Sequence, residues 1–326
     1  MSDPKILVLA TGGTIAGMAG SATKAAYQPG QIGIDDFLKR AENLQLNAQI
    51  TGRQIANIGS EDIGPADWAA LHQACDAAMN DPQVDGIIIT HGTDTAEETA
   101  FLLDLTLPTK KPVVIVGAMR PADAVGYDGL RNFANAVRVA SDPDAAGRGV
   151  LIVMSEKVHA ARDVRKAATR GTDAFRGFPR DAVGLVTPSA LDWFGAPWRP
   201  DEAARFAFAE ALPDVPILFI HAGMTPDYVA RLVSESTRGV VVSGVGEGNM
   251  PDPVRQELVK LAAKGLPVVR ASRLDEGLVD REPEDDENCF VAARALTPQK
   301  ARVLLSLLIA SGVKDPASVQ SAFDGR

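Results

Sequence analysis

Short apolar runs that scarcely alternate with polar residues recur along the chain, and helical patterns fill the stretches between them. The runs are Lys5–Ala10, Gly86–Thr90, Pro112–Gly117, Gly149–Met154, Pro216–His221, Val240–Ser243 and Pro267–Arg270. A strand with one wet face alternates between apolar and polar side chains. These runs do not, so they read as strands covered on both faces. Pro65–Met79 repeats Trp68, Leu71, Cys75 and Met79 at intervals of three to four, the stripe of a helix lying on a core. Thr95–Leu105, Asp128–Ala140, Pro253–Lys264 and Pro298–Ser311 are further helix candidates, the last with Thr297 as N-cap and Pro298 at the first helical position. This pattern predicts an α/β fold: a larger N-terminal domain with a mainly parallel sheet flanked by helices, and a smaller C-terminal α/β domain. The stretch from Phe194 to Pro200 carries two prolines and a glycine. The expected division is therefore 1–192, a linker over 193–212, and 213–326.

Charge and composition bound what such a fold can bind. The 33 Lys+Arg residues against 42 Asp+Glu leave a net charge of −9, which argues against nucleic acid as a partner. The two cysteines, Cys75 and Cys289, form no Cys-x-x-Cys pair, and His72, His91, His159 and His221 lack any metal-ligand spacing. No metal and no cofactor are expected. From Ile6 to Thr23 the chain is uncharged, yet only Ile6–Ala10 is compactly apolar. That is shorter than the roughly 7–15 apolar residues of an export segment or the ~20 of a membrane span. It reads as a buried strand running into a glycine-rich loop, so neither a membrane span nor a targeting segment is expected.

Four loops carry chemistry. Thr11-Gly12-Gly13-Thr14-Ile15-Ala16-Gly17 follows the first strand. Adjacent glycines allow a sharp turn with main-chain N–H groups aimed at a ligand. No Gly-Lys dipeptide and no G-x-G-x-x-G accompany them, so phosphate and dinucleotide readings lose their key parts. A threonine beside bare amides has a nucleophile and an oxyanion hole together; the alternative is a tight turn with Thr14 as a helix cap. Thr90-His91-Gly92-Thr93-Asp94-Thr95 repeats the strand–glycine–hydroxyl order and adds a carboxylate. Thr93 and Asp94 there either bind an amino group or position water, or Asp94 or Thr95 merely opens a helix, with Glu98 closing a capping box on Thr95. Ser60-Glu61-Asp62 after Gly59 suits the two charged ends of an amino acid, or Ser60 caps the helix near Pro65. Lys166, in Val164-Arg165-Lys166, becomes a base only where desolvation lowers its pKa, and is otherwise a surface lysine. The run Glu282-Pro283-Glu284-Asp285-Asp286-Glu287 reads as a solvated loop.

Taken together, TGGTIAG at 11–17, SATKAAY at 21–27, NIGSED at 57–62, THGTDT at 90–95, VGAMRP at 116–121, RDVRK at 162–166 and TPQKARVLL at 297–305 resemble the bacterial-type L-asparaginase/glutaminase family, colinearly and over essentially the whole chain. The resemblance implies hydrolysis of L-asparagine, and of L-glutamine to a varying degree, in a homotetramer built from intimate dimers. It makes Thr14 the nucleophile, with Tyr27 above it, and Thr93, Asp94 and Lys166 the second catalytic group. Ser60 would take the α-carboxylate, and Glu61 and Asp94 the α-ammonium. Ala118 would offer its carbonyl to the carboxamide, and Gly13 and Gly92 line the substrate. Asn249 and Glu282, with Glu284 as the fallback in a loop of variable length, would complete the site of a neighbouring copy. The implied mechanism is a double displacement through an acyl-Thr14 intermediate that water then cleaves.

Two departures carry information. Strictly asparagine-preferring relatives often have Gln where Glu61 stands, which implies measurable glutaminase activity. Exported relatives can pair a cysteine near Cys75 with one near Leu103, and this chain has none there. A cytoplasmic location is therefore expected, or a periplasmic one if a leader has been removed. A subunit of a tRNA amidotransferase would need an additional N-terminal module, whereas the first strand begins at Lys5. A non-catalytic amino-acid sensor could dispense with Thr14, Tyr27 or Lys166, and all three are present.

Overall fold

The structure, a computed structural model, describes residues 3–20, 28–187, 189–198 and 203–325. It divides into two compact units, Met1–Arg205 and Phe206–Arg326.

The first unit is built on strands β1 (Lys5–Gly12), β2 (Gln49–Ile58), β3 (Gly86–Thr90), β4 (Val113–Val116), β5 (Val150–Met154), β6 (Lys157–Ala160), β9 (Gly184–Val186) and β10 (Leu191–Trp193). These lie in the order β10-β9-β6-β5-β4-β3-β1-β2, with β1 to β5 pairing in parallel and the remaining pairs antiparallel. A separate ribbon joins β7 (Val164–Lys166) to β8 (Phe175–Gly177). Helices α1 (Ile34–Ala41), α2 (Pro65–Asn80), α3 (Ala96–Thr106) and α4 (Gly129–Ala140) complete the unit.

Strand periodicity sorts the core into two faces. Val8, Ile88, Val114 and Val153 join Phe37 of α1 and Phe133 of α4, whose rings meet edge to face at 5.0 Å. Leu9, Ile87, Ile89, Ile115 and Ile152 join Leu71 and Cys75 of α2 and Leu103 of α3. The three consecutive isoleucines of β3 are all fully buried, each worth about 1.5–3 kcal/mol of transfer from water. The parallel part of the sheet reads β2-β1-β3-β4-β5, so the order reverses between β1 and β3. In open α/β sheets the ligand crevice lies outside the carboxyl ends of the strands at such a reversal. The two threonine loops leave the sheet there.

Several elements depart from expectation. β2 is an edge strand with mostly exposed or half-buried side chains, and no apolar run betrays it in the sequence. α1 is likewise additional to the expected helices. Trp193, expected in the linker, instead ends β10 opposite Gly184. Its ring lies 4.1 Å from the Arg148 guanidinium, and both Trp193 and Trp198 pack against the first unit's core.

The second unit has a parallel sheet ordered β11 (Ile217–Phe219), β12 (Val240–Gly244), β13 (Val268–Ser272) and β14 (Phe290–Ala292). Its helices are α5 (Asp227–Leu232), α6 (Asp252–Ala262), α7 (Pro283–Asn288), α8 (Pro298–Ala310) and α9 (Pro316–Phe323). Thr297 is the N-cap residue of α8, but its side chain makes no capping hydrogen bond. The acidic run is not a loop. It forms α7, and Asp285 within it is buried against Arg270. Among the described residues, no helix is long and apolar enough to cross a membrane.

Candidate active site

β1 ends at Gly12 and runs straight into Gly13, both at positive φ, 104° and 78°. A Cβ on Gly12 would stand 2.5 Å from the Ile58 carbonyl oxygen, and one on Gly13 would stand 2.3 Å from Gly92 N. Only glycine allows both the dihedral and the approach. Main-chain bonds lock the turn: Gly13 N–H donates to Ile58 O (2.9 Å), and Gly30 N–H to Gly13 O (3.3 Å). The Gly13 amide is therefore committed to the fold, and what Gly13 gives the site is space. Thr14 opens a 3-10 turn, Thr14–Ala16, and is buried. The Tyr127 hydroxyl donates to Ile15 O (2.7 Å) and Ala122 N–H to Gly17 O (2.9 Å). The two hydroxyls of the motif have separate duties, since Thr11 Oγ1 donates to Thr90 O (2.9 Å) and ties the ends of β1 and β3 together.

The β3 loop is held differently. Lys166 Nζ lies 2.8 Å from Thr93 Oγ1 and 2.5 Å from Asp94 Oδ1, and its backbone N–H donates to Glu97 Oε2 (3.2 Å). The lysine side chain is 17% exposed and Asp94 59%, so Nζ sits at the boundary between the buried hydroxyl and solvent. Ser60 is buried. Its Oγ accepts from Asp94 N–H (3.2 Å), and its carbonyl accepts from Thr95 Oγ1 (2.7 Å). Thr95 is the N-cap of α3, yet its hydroxyl goes to Ser60 rather than to the helix. Nor does Ser60 cap α2, where Gly64 is the N-cap and donates its N–H to Asp67 Oδ2 (3.0 Å). Glu61 is exposed beside it in the turn Ser60–Asp62. Gly92 lets Ser60 in, because a Cβ there would meet Ser60 Oγ at 2.7 Å.

Ala118 is buried between two anchors. A Cβ on Gly117 would lie 2.9 Å from Thr93 Cγ2, and the Met119 and Arg120 N–H groups donate to the Asp128 carboxylate. Beneath the loop, the His91 ring bonds Gly92 O through Nδ1 (2.6 Å) and Thr99 Oγ1 through Nε2 (2.9 Å), and Trp68 Nε1–H donates to the same Thr99 oxygen (2.9 Å). Burial pushes the His91 pKa down to about 4, with the Gly92 carbonyl opposing. The neutral ring thus donates from Nδ1 and accepts at Nε2.

The structure therefore brings Thr14, Gly13, Gly92, Thr93, Asp94, Lys166, Ser60, Glu61 and Ala118 to the carboxyl ends of neighbouring strands and the loops beside them. Tyr27, with the rest of SATKAAY, lies outside the described residues; Met18 and Gln28 on either side of that stretch pair as an antiparallel bridge. Asn249 and Glu282 belong to the second unit. Asn249 is exposed in the turn after β12, Glu282 is the N-cap of α7, and Glu284 stands 3.9 Å from Arg255. Three supporting residues, Thr11, His91 and Glu97, have structural roles that sequence reasoning missed. Glu97 had one signal, as a carboxylate in the first turn of a helix, where the dipole favours it. Among the described residues, no three His, Cys, Asp or Glu side chains group to hold a metal ion.

Comparison with known proteins gives a consistent picture. Residues 5–199 match the family model described as asparaginase, N-terminal, and residues 214–323 match the glutaminase/asparaginase C-terminal domain. The chain is 39% identical to a probable periplasmic L-asparaginase of Haemophilus influenzae and to L-asparaginase 2 of Escherichia coli, covering 98% of this chain and 93% of each relative. It is 35% identical to a glutaminase-asparaginase of Pseudomonas fluorescens biotype A, over 98% of this chain and 89% of that one. The crystal structure of a probable cytoplasmic L-asparaginase from Campylobacter jejuni superposes with a TM-score of 0.91 at 35% identity, over 98% of this chain and 99% of that one.

Proposed function

This chain belongs to the asparaginase family, and on that premise we propose that it is an L-asparagine amidohydrolase with L-glutamine as a second, slower substrate. The observation that carries the reading is the contact of Gly13 with Gly92, which sets two hydroxyl-bearing turns side by side, one of them with a lysine on its threonine.

In the first step Thr14 Oγ1 bonds to the carboxamide carbon and the C–N bond breaks. The hydroxyl proton leaves on the nitrogen, giving ammonia and an acyl-Thr14 ester. A threonine hydroxyl is too weak an acid to ionise unaided near neutrality, so a base must take the proton as the bond forms. Thr93, Lys166 and Asp94 supply the proton path. In the second step water adds to the ester carbon, and its proton restores the Thr14 hydroxyl as L-aspartate leaves. Ser60 binds the α-carboxylate, Glu61 and Asp94 hold the α-ammonium, and Ala118 O accepts from the carboxamide. Gly13 and Gly92 shape the floor, and Tyr27 belongs to the catalytic set with Thr14.

The assembly in this reading is a homotetramer, a dimer of intimate dimers, in which Asn249 and Glu282 complete the site of a neighbouring copy. The first unit, Met1–Arg205, is in this reading the catalytic domain, and the second, Phe206–Arg326, is the one that lends those two residues. We assign the protein to the cytoplasm, with the periplasm as the alternative if a leader precedes the sequence. Support comes from Cys75, a free thiol buried in the core whose pKa burial pushes up.

Ammonia release measured side by side on the two amides is expected from both, faster from asparagine. No ammonia from glutamine sinks the second activity. Thr14→Ala is expected to lower kcat by about 10⁴–10⁶-fold at unchanged melting temperature, and near-normal turnover by the folded variant rules out the acyl-Thr14 route.

A further inference from the structure

Arg270 is a fully buried side chain in the middle of β13, and three separate segments of the second unit close on its guanidinium. Nε and Nη2 donate to Asp285 Oδ1 and Oδ2 of α7, both at 2.7 Å. Nη1 donates to Glu247 O (2.8 Å) in the turn that carries Asn249. Nη2 also donates to Asp280 O (3.0 Å), two residues before Glu282, and stands 3.9 Å from Glu282 Oε2. The segments then bind one another. Asp280 N–H donates to Glu247 Oε1 (3.0 Å), Glu282 N–H to Asp285 Oδ2 (2.9 Å), and Ser272 Oγ to Gly246 O (2.6 Å).

Burying an ion pair costs several kcal/mol of desolvation per ion, and apolar side chains of similar volume are often at least as stabilising. What apolar side chains cannot supply is direction. A guanidinium presents five N–H donors in one rigid plane, and here they fix the bearing of both loop segments at once.

We propose that Arg270 is a positioning residue for substrate binding: its buried fork sets the geometry of Asn249 against Glu282, and so the affinity of the site those two residues complete. This rests on the reading above, in which they serve a neighbouring copy. The substitution Arg270→Lys would keep the charge facing Asp285 but lose the fork to Glu247 O and Asp280 O.

The test is Arg270→Lys in the full-length assembled protein, with asparagine as substrate. KM is expected to rise about 10-fold with kcat within about 2-fold, as for loss of binding shared by ground and transition states, at unchanged assembly mass. Glu247→Ala, which removes an exposed side chain bonded to Asp280 N–H, is the milder variant should Arg270→Lys fail to fold; it should raise KM by about 2–3-fold on the same argument. Co-expression of Arg270→Lys chains with differently tagged Thr14→Ala chains gives the decisive readout. Sites between unlike chains take Thr14 from one and an intact Arg270 from the other, so a low-KM phase equal to wild type should reappear. A purely structural defect in the Arg270→Lys chain would stay with that chain. An unchanged KM in folded Arg270→Lys, or a raised KM that mixing never restores, overturns the proposal. Asn249→Ala separates the two modes of failure. If it leaves KM unchanged, the assignment of Asn249 falls and the Arg270 role with it; if it raises KM while Arg270→Lys does not, only the Arg270 role falls.

Discussion

The Thr14 and Thr93 turns leave adjacent parallel strands and touch through their glycines, yet they are held by different forces. Around Thr14 the described anchors run largely through the main chain: Gly13 to Ile58, Gly30 to Gly13, and Ala122 to Gly17. Around Thr93 they run through side chains: Lys166, Asp94, Ser60, Thr95 and His91. In the proposed reaction Thr14 is the nucleophile and must stand still, and main-chain bonds backed by glycine packing leave it few alternatives. A proton path must change its bonding during the reaction, and side-chain donors and acceptors can do so.

The contrast can be tested at three points. Lys166→Met removes the amine but no main-chain bond, so kcat should fall by about 10³-fold, within the usual range for a lost general base, while calorimetry finds the melting temperature nearly unchanged. A large loss of stability would mean that the lysine also holds the fold. Gly13→Ala is the converse. Its Cβ meets backbone strain of roughly 1–3 kcal/mol, since φ 78° with ψ −171° is a conformation essentially confined to glycine, and overlaps the Gly92 main chain, so stability should drop by about 3 kcal/mol or more with overpacking included. Denaturant unfolding measures that drop, and a wild-type midpoint would deny the main-chain lock.

The smallest effect concerns His91, which is kept neutral with its pKa pushed down to about 4. The unfolded chain protonates this ring below about 6.5, whereas the folded one resists. The contribution is therefore whole above pH 6.5 and is lost as pH falls from there toward 4, a loss of a few kcal/mol in all. His91→Gln should flatten the acid limb of the stability profile by that amount. An identical profile would remove His91 from the support beneath Gly92.

Every strand that the apolar runs predicted is present, and for most of them burial on both faces leaves a pattern that needs no neighbour to interpret; β11 departs from it as an edge strand with Phe219 exposed. β2 escapes such a reading because an edge strand is half solvated, and α7 escapes it because a run of acids looks hydrated until Arg270 is set beside Asp285. The site divides along the same line. The glycine motifs mark Thr14 and Thr93 from local chemistry alone. Lys166 looks like any surface lysine and is singled out only by family resemblance, since its partners lie some seventy residues earlier in the chain. Glu97 is hidden for the same reason. Contacts between distant segments are written in the fold, not in the spacing.

β1 is flanked by β2 on one side and β3 on the other, with Val8 and Leu9 sealed into opposite faces of the core. Its amide protons can reach solvent only when the sheet itself opens, as in the most slowly exchanging segments of a protein. The turn thus has no soft mounting of its own, and thermal loss of order at Thr14 is expected to coincide with unfolding of the sheet that carries it.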